Sequence, residues 1–316
     1  MTDFKIPASV PGNKKSEYSD NYRKLTKNRG NLFLIAGDQK VEHLNDDFIG
    51  ANVSSEDASP EHLFKIAAAS QGGVLAAHLG LISHYGHNYK QVPYIIKLNG
   101  KSNLGPNDDK DSSPTWWTIA DIVKFKKQSG LNIVGIGYTI YLGGKFESQL
   151  LATAASAIWQ AHQAGLTAVI WMYPRGKNVK EENIHTIAGG AGMAAALDAD
   201  FVKIKYPYGS KNTKLTAKKF QEAVMAAGHT KVICVGGSRR TVSEMLKELE
   251  EQIKISGTTG LAMGRNLHQR SLEEATRLTA ALGSIIFDNK SAKEALVIYN
   301  NKTKKAKKNY KFLGLF

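Results

Sequence analysis

The chain is short of several things, and each shortage excludes a class of protein. Cysteine occurs once, at Cys234 in the apolar run KVICVGG. No internal disulfide can form, and that setting suits a buried structural thiol better than a nucleophile or a metal ligand. No apolar run approaches the roughly 18–20 residues that a membrane-spanning helix needs. The opening MTDFKIPASVPGNKKSEYSD lacks the apolar centre of a signal peptide, so a cytoplasmic location without a membrane partner is expected. Low-complexity segments, fixed-period repeats and linkers are missing too. Acidic residues are outnumbered, 28 against 42 basic ones, which gives a formal net charge of +14.

That charge suits a nucleic-acid binder or an enzyme for anionic substrates. Part of it is local, because the tail NKTKKAKKNYKFLGLF places six lysines between Lys302 and Lys311. Such a run reads as a solvated end or a subunit contact. No aromatic-interleaved platform or recognition-helix pattern accompanies it, so nucleic acid is not an expected partner. The apolar end FLGLF would suit an intersubunit contact, and a homo-oligomer of unspecified size is expected.

What the chain has in quantity is alternation. Its 316 residues, 42% of them hydrophobic, can bury a large core. Eight short β-rich runs are spaced along it: NLFLIAGD (31–38), GGVLAAHLG (72–80), PYIIKLNG (93–100), NIVGIGYTIY (132–141), TAVIWMYP (167–174), DFVKIKYP (200–207), KVICVGGS (231–238) and TGLAMGRN (259–266). Helical stretches lie between them, among them SPEHLFKIAAAS, TIADIVKFKKQSG, FESQLLATAASAIWQAHQAG, TAKKFQEAVMAAG and RTVSEMLKELEEQIKISG, several closed by glycine. SLEEATRLTAALGSIIF follows the eighth run. The pattern predicts a single-domain α/β TIM (β/α)8 barrel over about residues 30–285. A polar N-terminal extension (1–29) would wrap the outside or bottom, and a basic C-terminal tail (about 286–316) would follow. An open doubly wound sheet would need a glycine-rich nucleotide turn after an early strand, and AGDQKVEH has none.

Within a barrel, alternation assigns directions. In DFVKIKYP the apolar Val202, Ile204 and Tyr206 must face the helices, so Phe201, Lys203 and Lys205 face inward. A lysine desolvated beside a second cation loses its proton more easily and becomes a neutral amine able to attack a carbonyl. On pattern alone, an anion-binding or carboxylate-paired role serves the two lysines equally well. In VIWMYPRG the same alternation sends Trp171, Tyr173 and Arg175 inward. Tyr173 is a candidate to pass a proton to or from Lys203's adduct, against a packing role. Asp38 closes the first strand, where its carboxylate can balance an iminium or merely cap the next turn. Lys97 and Asn99 on the third strand, with Tyr138 and Tyr141 on the fourth, read as supporting residues. Gly236, Gly237 and Ser238 end the seventh strand, and Gly264, Arg265 and Asn266 the eighth. Their conjunction predicts a phosphate site and hence a phosphorylated carbonyl substrate. His84 and His87 stand three apart but lack a third strand-end ligand, and Glu42 and His43 lie near Asp38. No metal site and no nicotinamide or pyridoxal cofactor is expected.

The succession GDQKVEH, VPYIIKLNG, GYTIY, VIWMYPRG, DFVKIKYP, VGGS and GLAMGRN resembles the archaeal-type class I fructose-bisphosphate aldolases, a family that includes related deoxyaldolase-like condensing enzymes. The resemblance runs from about residue 30 to about 285. It implies that Lys203 is the Schiff-base lysine with Lys205 as neighbouring cation. It likewise implies Tyr173 as proton shuttle beside Trp171, Asp38 as the strand-one carboxylate, and Gly236, Gly237, Gly264 and Arg265 as the phosphate loops. Departures are Gln39, where histidine often follows the aspartate, Lys40, the pair Arg239–Arg240 and the basic tail. The implied reaction is metal-independent cleavage of fructose 1,6-bisphosphate to dihydroxyacetone phosphate and glyceraldehyde 3-phosphate. The alternative is a transaldolase-like or thiolase-like Schiff-base enzyme acting on another phosphorylated sugar.

Overall fold

A computed structural model of the chain describes residues 4–105, 111–176, 179–208, 212–237 and 240–301. The sheet consists of β1 (Leu32–Ala36), β2 (Gly73–His78), β3 (Tyr94–Lys97), β4 (Ile133–Leu142), β5 (Thr167–Pro174), β6 (Phe201–Ile204), β7 (Lys231–Val235) and β8 (Gly260–Met263). All are parallel, each pairs with its neighbours in chain order, and β8 closes on β1. Every expected run holds a strand. Most strands are shorter than the runs, because the residues at the carboxyl ends leave the ladder to form the rim.

The helices are α1 (Lys15–Thr26), α2 (Gln39–Glu42), α3 (Glu61–Ala69), α4 (Leu79–Tyr85), α5 (Ile119–Ser129), α6 (Glu147–Gln163), α7 (Ile184–Ala196), α8 (Thr213–Ala227), α9 (Val242–Glu251), α10 (Arg265–His268), α11 (Leu272–Asp288) and α12 (Ala292–Asn300). Local chemistry sets several of their ends. Thr118 with Asp121, Thr241 with Glu244 and Ser291 with Glu294 form capping boxes, satisfying amide donors that the first turn leaves unpaired. Gly130 takes the left-handed conformation past α5.

Two apolar layers follow from the alternation. Phe33, Ile35, Leu75, Ile96, Ile170, Val202, Ile204 and Cys234 face outward and pack under the helices. Cys234 is fully buried there, and that burial pushes its thiol up, away from reactivity. Leu32, Leu34, Val74, Ile95, Val169, Trp171, Phe201 and Ile233 fill the barrel interior. Tyr18, Tyr22 and Leu25 of α1 join that interior cluster, so the N-terminal extension plugs the barrel floor. Tyr22 stacks on Phe201 with ring centroids 5.9 Å apart. Tyr18 donates to Asp200, whose other oxygen accepts from the Ala168 amide at 2.7 Å and lies 3.2 Å from His162 Nε2. A closed floor leaves the opposite end, where the strands' carboxyl ends meet, as the route to the inner lysine.

Candidate active site

Lys203 occupies the inward face of β6, with only 3% of its surface exposed. Its register partner on β5 is Trp171, and its ammonium nitrogen lies 5.0 Å from the centre of that ring. On the same ring, 4.3 Å away, rests Lys97 Nζ, from β3. The bulky indole is accommodated by Gly137 on β4. A Cβ there would fall 2.6 Å from Trp171 Cζ3 and 3.0 Å from Lys97 Cδ. The second cation at Lys203 is therefore Lys97.

Lys205, expected in that place, lies beyond the end of β6. Its ammonium is 3.2 Å from Glu181 and 3.4 Å from Glu182. It lines the mouth but does not depress Lys203. The reason is geometric: the strand ends at Ile204, and alternation stops with it.

Asp38 faces the lysines from the end of β1, with one oxygen 4.0 Å from Lys97 Nζ. Lys97 also donates to Thr139 Oγ1 at 2.5 Å, and the Asn99 side chain bonds both the amide and the carbonyl of Thr139. Burial holds the Lys203 amine below the usual lysine range, although Asp38 and Glu42 favour its charged form. Burial likewise lowers Lys97 to about 8, with Lys203 adding to the effect against the pull of Asp38. Burial alone would raise Asp38, but Lys203 and Lys97 outweigh it and keep the carboxyl low. The site thus combines a carboxylate with two amines that release their protons more readily than an exposed lysine does.

Tyr173 sits at the top of β5, its ring stacked 6.1 Å from Tyr141 across the register pair they form. Burial, then the charges of Asp38 and Glu42, push its phenol well above the ordinary value, so it remains protonated. Tyr141 donates to Glu42 at 2.9 Å. Arg175 stacks on Tyr141, 3.8 Å from the ring centre, and pairs with Asp111 at 2.8 Å. It shares the mouth but its guanidinium is already matched by a carboxylate.

A cavity of about 650 Å³ joins these groups to the loops after β7 and β8, with Lys203, Asp38, Tyr173, Gly236, Gly237, Gly264 and Arg265 on its walls. The expected phosphate loops are therefore at the same mouth as the lysine. Gly237 takes the left-handed conformation at φ +66°. Gly236 differs from expectation in one respect: its N–H is spent on Ala262 O at 2.8 Å, in the ladder. Asn266 staples the two loops by donating to the carbonyls of Gly236 and Gly237. Arg265 is half exposed, 3.9 Å from Asp47. Ser238 and Arg239 lie outside the described residues. His84 and His87 are exposed on the outer surface after β2, and His43 pairs with Asp47 at 2.5 Å.

Sequence reasoning left the central residues Lys97 and Glu42 in supporting roles and passed over His78 and Thr139. The signal was available for Lys97, since YIIKLN carries the same inward alternation as FVKIKY. Which inward lysine meets Lys203 depends on the closure of the barrel, which no single strand reveals.

A parallel β/α barrel with a desolvated amine, a facing carboxylate and a protonated tyrosine at the strands' carboxyl ends is built for carbonyl chemistry through an imine. The chain belongs to the DeoC/LacD aldolase family, whose description as "DeoC/LacD family aldolase" matches residues 32–270. It is 49% identical over 298 residues, 94% of each chain, to a Methanocaldococcus jannaschii protein named fructose-bisphosphate aldolase/6-deoxy-5-ketofructose 1-phosphate synthase. It is 32% identical to a Halobacterium salinarum class 1 fructose-bisphosphate aldolase, covering 84% of this chain and 94% of that one. Among solved structures, a fructose-bisphosphate aldolase from Slackia heliotrinireducens superposes with a TM-score of 0.91 at 42% identity over 96% of each chain. An archaeal fructose-1,6-bisphosphate aldolase, described with its catalytic lysine bound to the carbinolamine intermediate, matches at TM-score 0.72 and 28% identity. That match covers 85% of this chain and 99% of the other.

Proposed function

We propose that the protein is a class I fructose-bisphosphate aldolase, cleaving fructose 1,6-bisphosphate reversibly to dihydroxyacetone phosphate and glyceraldehyde 3-phosphate with Lys203 as nucleophile. The observation that carries this reading is the burial of Lys203 against Trp171 with Lys97 and Asp38 beside it. The neutral amine adds to the substrate ketone, loss of water gives an iminium, and the iminium accepts the electron pair when the C3–C4 bond breaks. That bond breaks as the C4 hydroxyl loses its proton. Asp38 is the group for this, because it is anionic while Tyr173 holds its proton. Tyr173 then supplies a proton to the enamine carbon, and water releases the ketone product and the lysine. The iminium does the work of an electron sink, so the scheme calls on no metal. The glycines after β7 and β8 with Arg265 would receive the phosphate of the bound ketose, and Trp171 supports the lysine from below. Lys205 and Arg175 would contact the distal part of the substrate.

A second reading, a Schiff-base enzyme acting on another phosphorylated sugar, is favoured by the double name of the Methanocaldococcus jannaschii relative. The same lysine, tyrosine and aspartate would serve it. A cytoplasmic homo-oligomer fits both readings, and no helix among the described residues is long and apolar enough to cross a membrane.

Borohydride reduction in the presence of dihydroxyacetone phosphate, followed by peptide mass spectrometry, tests the proposal. A stable adduct on Lys203 is expected, and Lys203→Ala should lose both the adduct and all turnover. Normal turnover in Lys203→Ala would remove Lys203 as nucleophile. Rates with fructose 1,6-bisphosphate and with 6-deoxy-5-ketofructose 1-phosphate then separate the two readings.

A further inference from the structure

Beside the main cavity, and sharing Asp38, Glu42 and Tyr141 with it, lies a second pocket of about 10 Å³. That is room for about one water molecule. Its walls are polar, including His78, Lys97, Asn99, Ser113 and Thr139. Two of those side chains are conspicuous. His78, at the end of β2, is 6% exposed and Ser113 is 3% exposed. Neither His78 Nδ1 nor Ser113 Oγ has a hydrogen-bond partner among the described residues. Two buried polar atoms left unpaired in one pocket cost free energy that a shared water would recover. The histidine ring is held in place by Trp116, whose ring is tilted 31° to it with centroids 4.7 Å apart. It fits there because residue 100 is glycine: a Cβ would come within 2.9 Å of both His78 Cε1 and Trp116 Cη2.

We propose that His78 and Ser113 hold one water molecule against Asp38, which makes His78 a positioning residue for aldol cleavage. The inference rests on the role given to Asp38 and Lys203 above. Burial, then the nearby Lys97 ammonium, lower the imidazole to about 4, so near neutral pH it is uncharged and one ring nitrogen is an acceptor. The Lys97 backbone engages the ring as well, which leaves Nδ1 as the acceptor facing the pocket. The water donates one hydrogen to Nδ1 and the other to an Asp38 oxygen, and accepts from the Ser113 hydroxyl. Asp38 is then fixed from the small pocket, whose walls include Lys97 and not Lys203, with its charge kept available to the substrate.

The test is a double-mutant cycle in the full chain, with His78→Phe, Ser113→Ala, the double variant and His78→Asn. For each, kcat and KM for fructose 1,6-bisphosphate cleavage are measured with borohydride trapping on Lys203. His78→Phe should lower kcat about tenfold with KM nearly unchanged and trapping intact. The double variant should be no slower than His78→Phe, because the water both residues hold can be lost only once. His78→Asn, which places an amide oxygen near the Nδ1 position, should restore most of the rate. Additive losses, or His78→Asn as slow as His78→Phe, would overturn the proposal. A high-resolution crystal structure of the unmodified protein should show a water bonded to His78 Nδ1 and Ser113 Oγ, and a dry pocket there would also overturn it. If the unmodified protein neither cleaves the bisphosphate nor forms the adduct, the aldolase reading fails instead, and crystallography still decides the water.

Discussion

Lys203 shows how a single side chain acquires chemistry from its surroundings. An exposed lysine is an ammonium at neutral pH. Here desolvation favours the amine, while Asp38 and Glu42 temper the shift. Lys97 shares the Trp171 ring with it, so the two lysine nitrogens lie 4.3 and 5.0 Å from the centre of one indole. In the proposed reaction Tyr173 would meet a different requirement, a phenol that keeps its proton until a carbanion-like centre needs it. Tyr173→Phe should leave imine formation on Lys203 intact and slow turnover by about 10²–10⁴-fold. Trapping yield measured beside steady-state rate checks this, and loss of trapping in that variant would place Tyr173 in the imine step itself.

Among the elements, the strands were legible because apolar β-rich runs of eight to ten residues alternate with helical patterns, as βα units do. α7 was less so. Its sequence IHTIAGGAGMAAA carries three glycines, which weaken helix propensity, and tertiary packing overrides them. At Gly190 a Cβ would lie 3.1 Å from Met172 and 3.3 Å from Pro174, so small residues let this helix approach β5 closely. α1 was hidden by its polar composition, since its buried face mixes Tyr18, Tyr22 and Leu25 with the polar Ser19, Asn21 and Thr26. β8 depends on Gly260 in a stricter way. Its φ is +139°, and a Cβ would fall 1.9 Å from the Leu32 carbonyl oxygen, at the seam where β8 closes on β1. Gly260→Ala should therefore destabilise the protein by about 2 kcal/mol or more, lowering Tm by about 3 °C or more in thermal unfolding. An unchanged Tm would show that the seam can shift to admit a methyl group.

At the scale of the whole molecule, the barrel has one closed end and one open end. α1 and the segment before it close the floor through a buried cluster in which His162 lies 2.7 Å from Ser9 Oγ, 3.2 Å from Asp198 and 3.2 Å from Asp200. Tyr18 packs edge-on to the imidazole and donates to Asp200. Burial disfavours a charged His162, but Asp200 and Asp198 outweigh it and raise its pKa above the ordinary value. A histidine raised in the folded state contributes stability that is full below its unfolded pKa of about 6.5 and is lost as pH rises through the folded pKa. Tm should accordingly fall as pH is raised from about 6.5 into the alkaline range, and His162→Gln should flatten that slope. An identical slope in the variant would assign the pH dependence to other groups.

The order of eight strands, the parallel α/β architecture, the inward placement of Lys203 and the glycine-bearing loops after the last two strands all followed from the linear chain. They depend on periodicity and local conformational preference, which neighbouring residues determine. Closure of the sheet decided the rest. It set Lys97 from β3, Trp171 from β5 and Lys203 from β6 around one ring, and left Lys205 to Glu181 and Glu182 beyond the strand end. It also brought His78 and Ser113, 35 positions apart in the chain, to the same small pocket behind Asp38. Desolvation and charge coupling act through space, so they exist only once the eight strands have met.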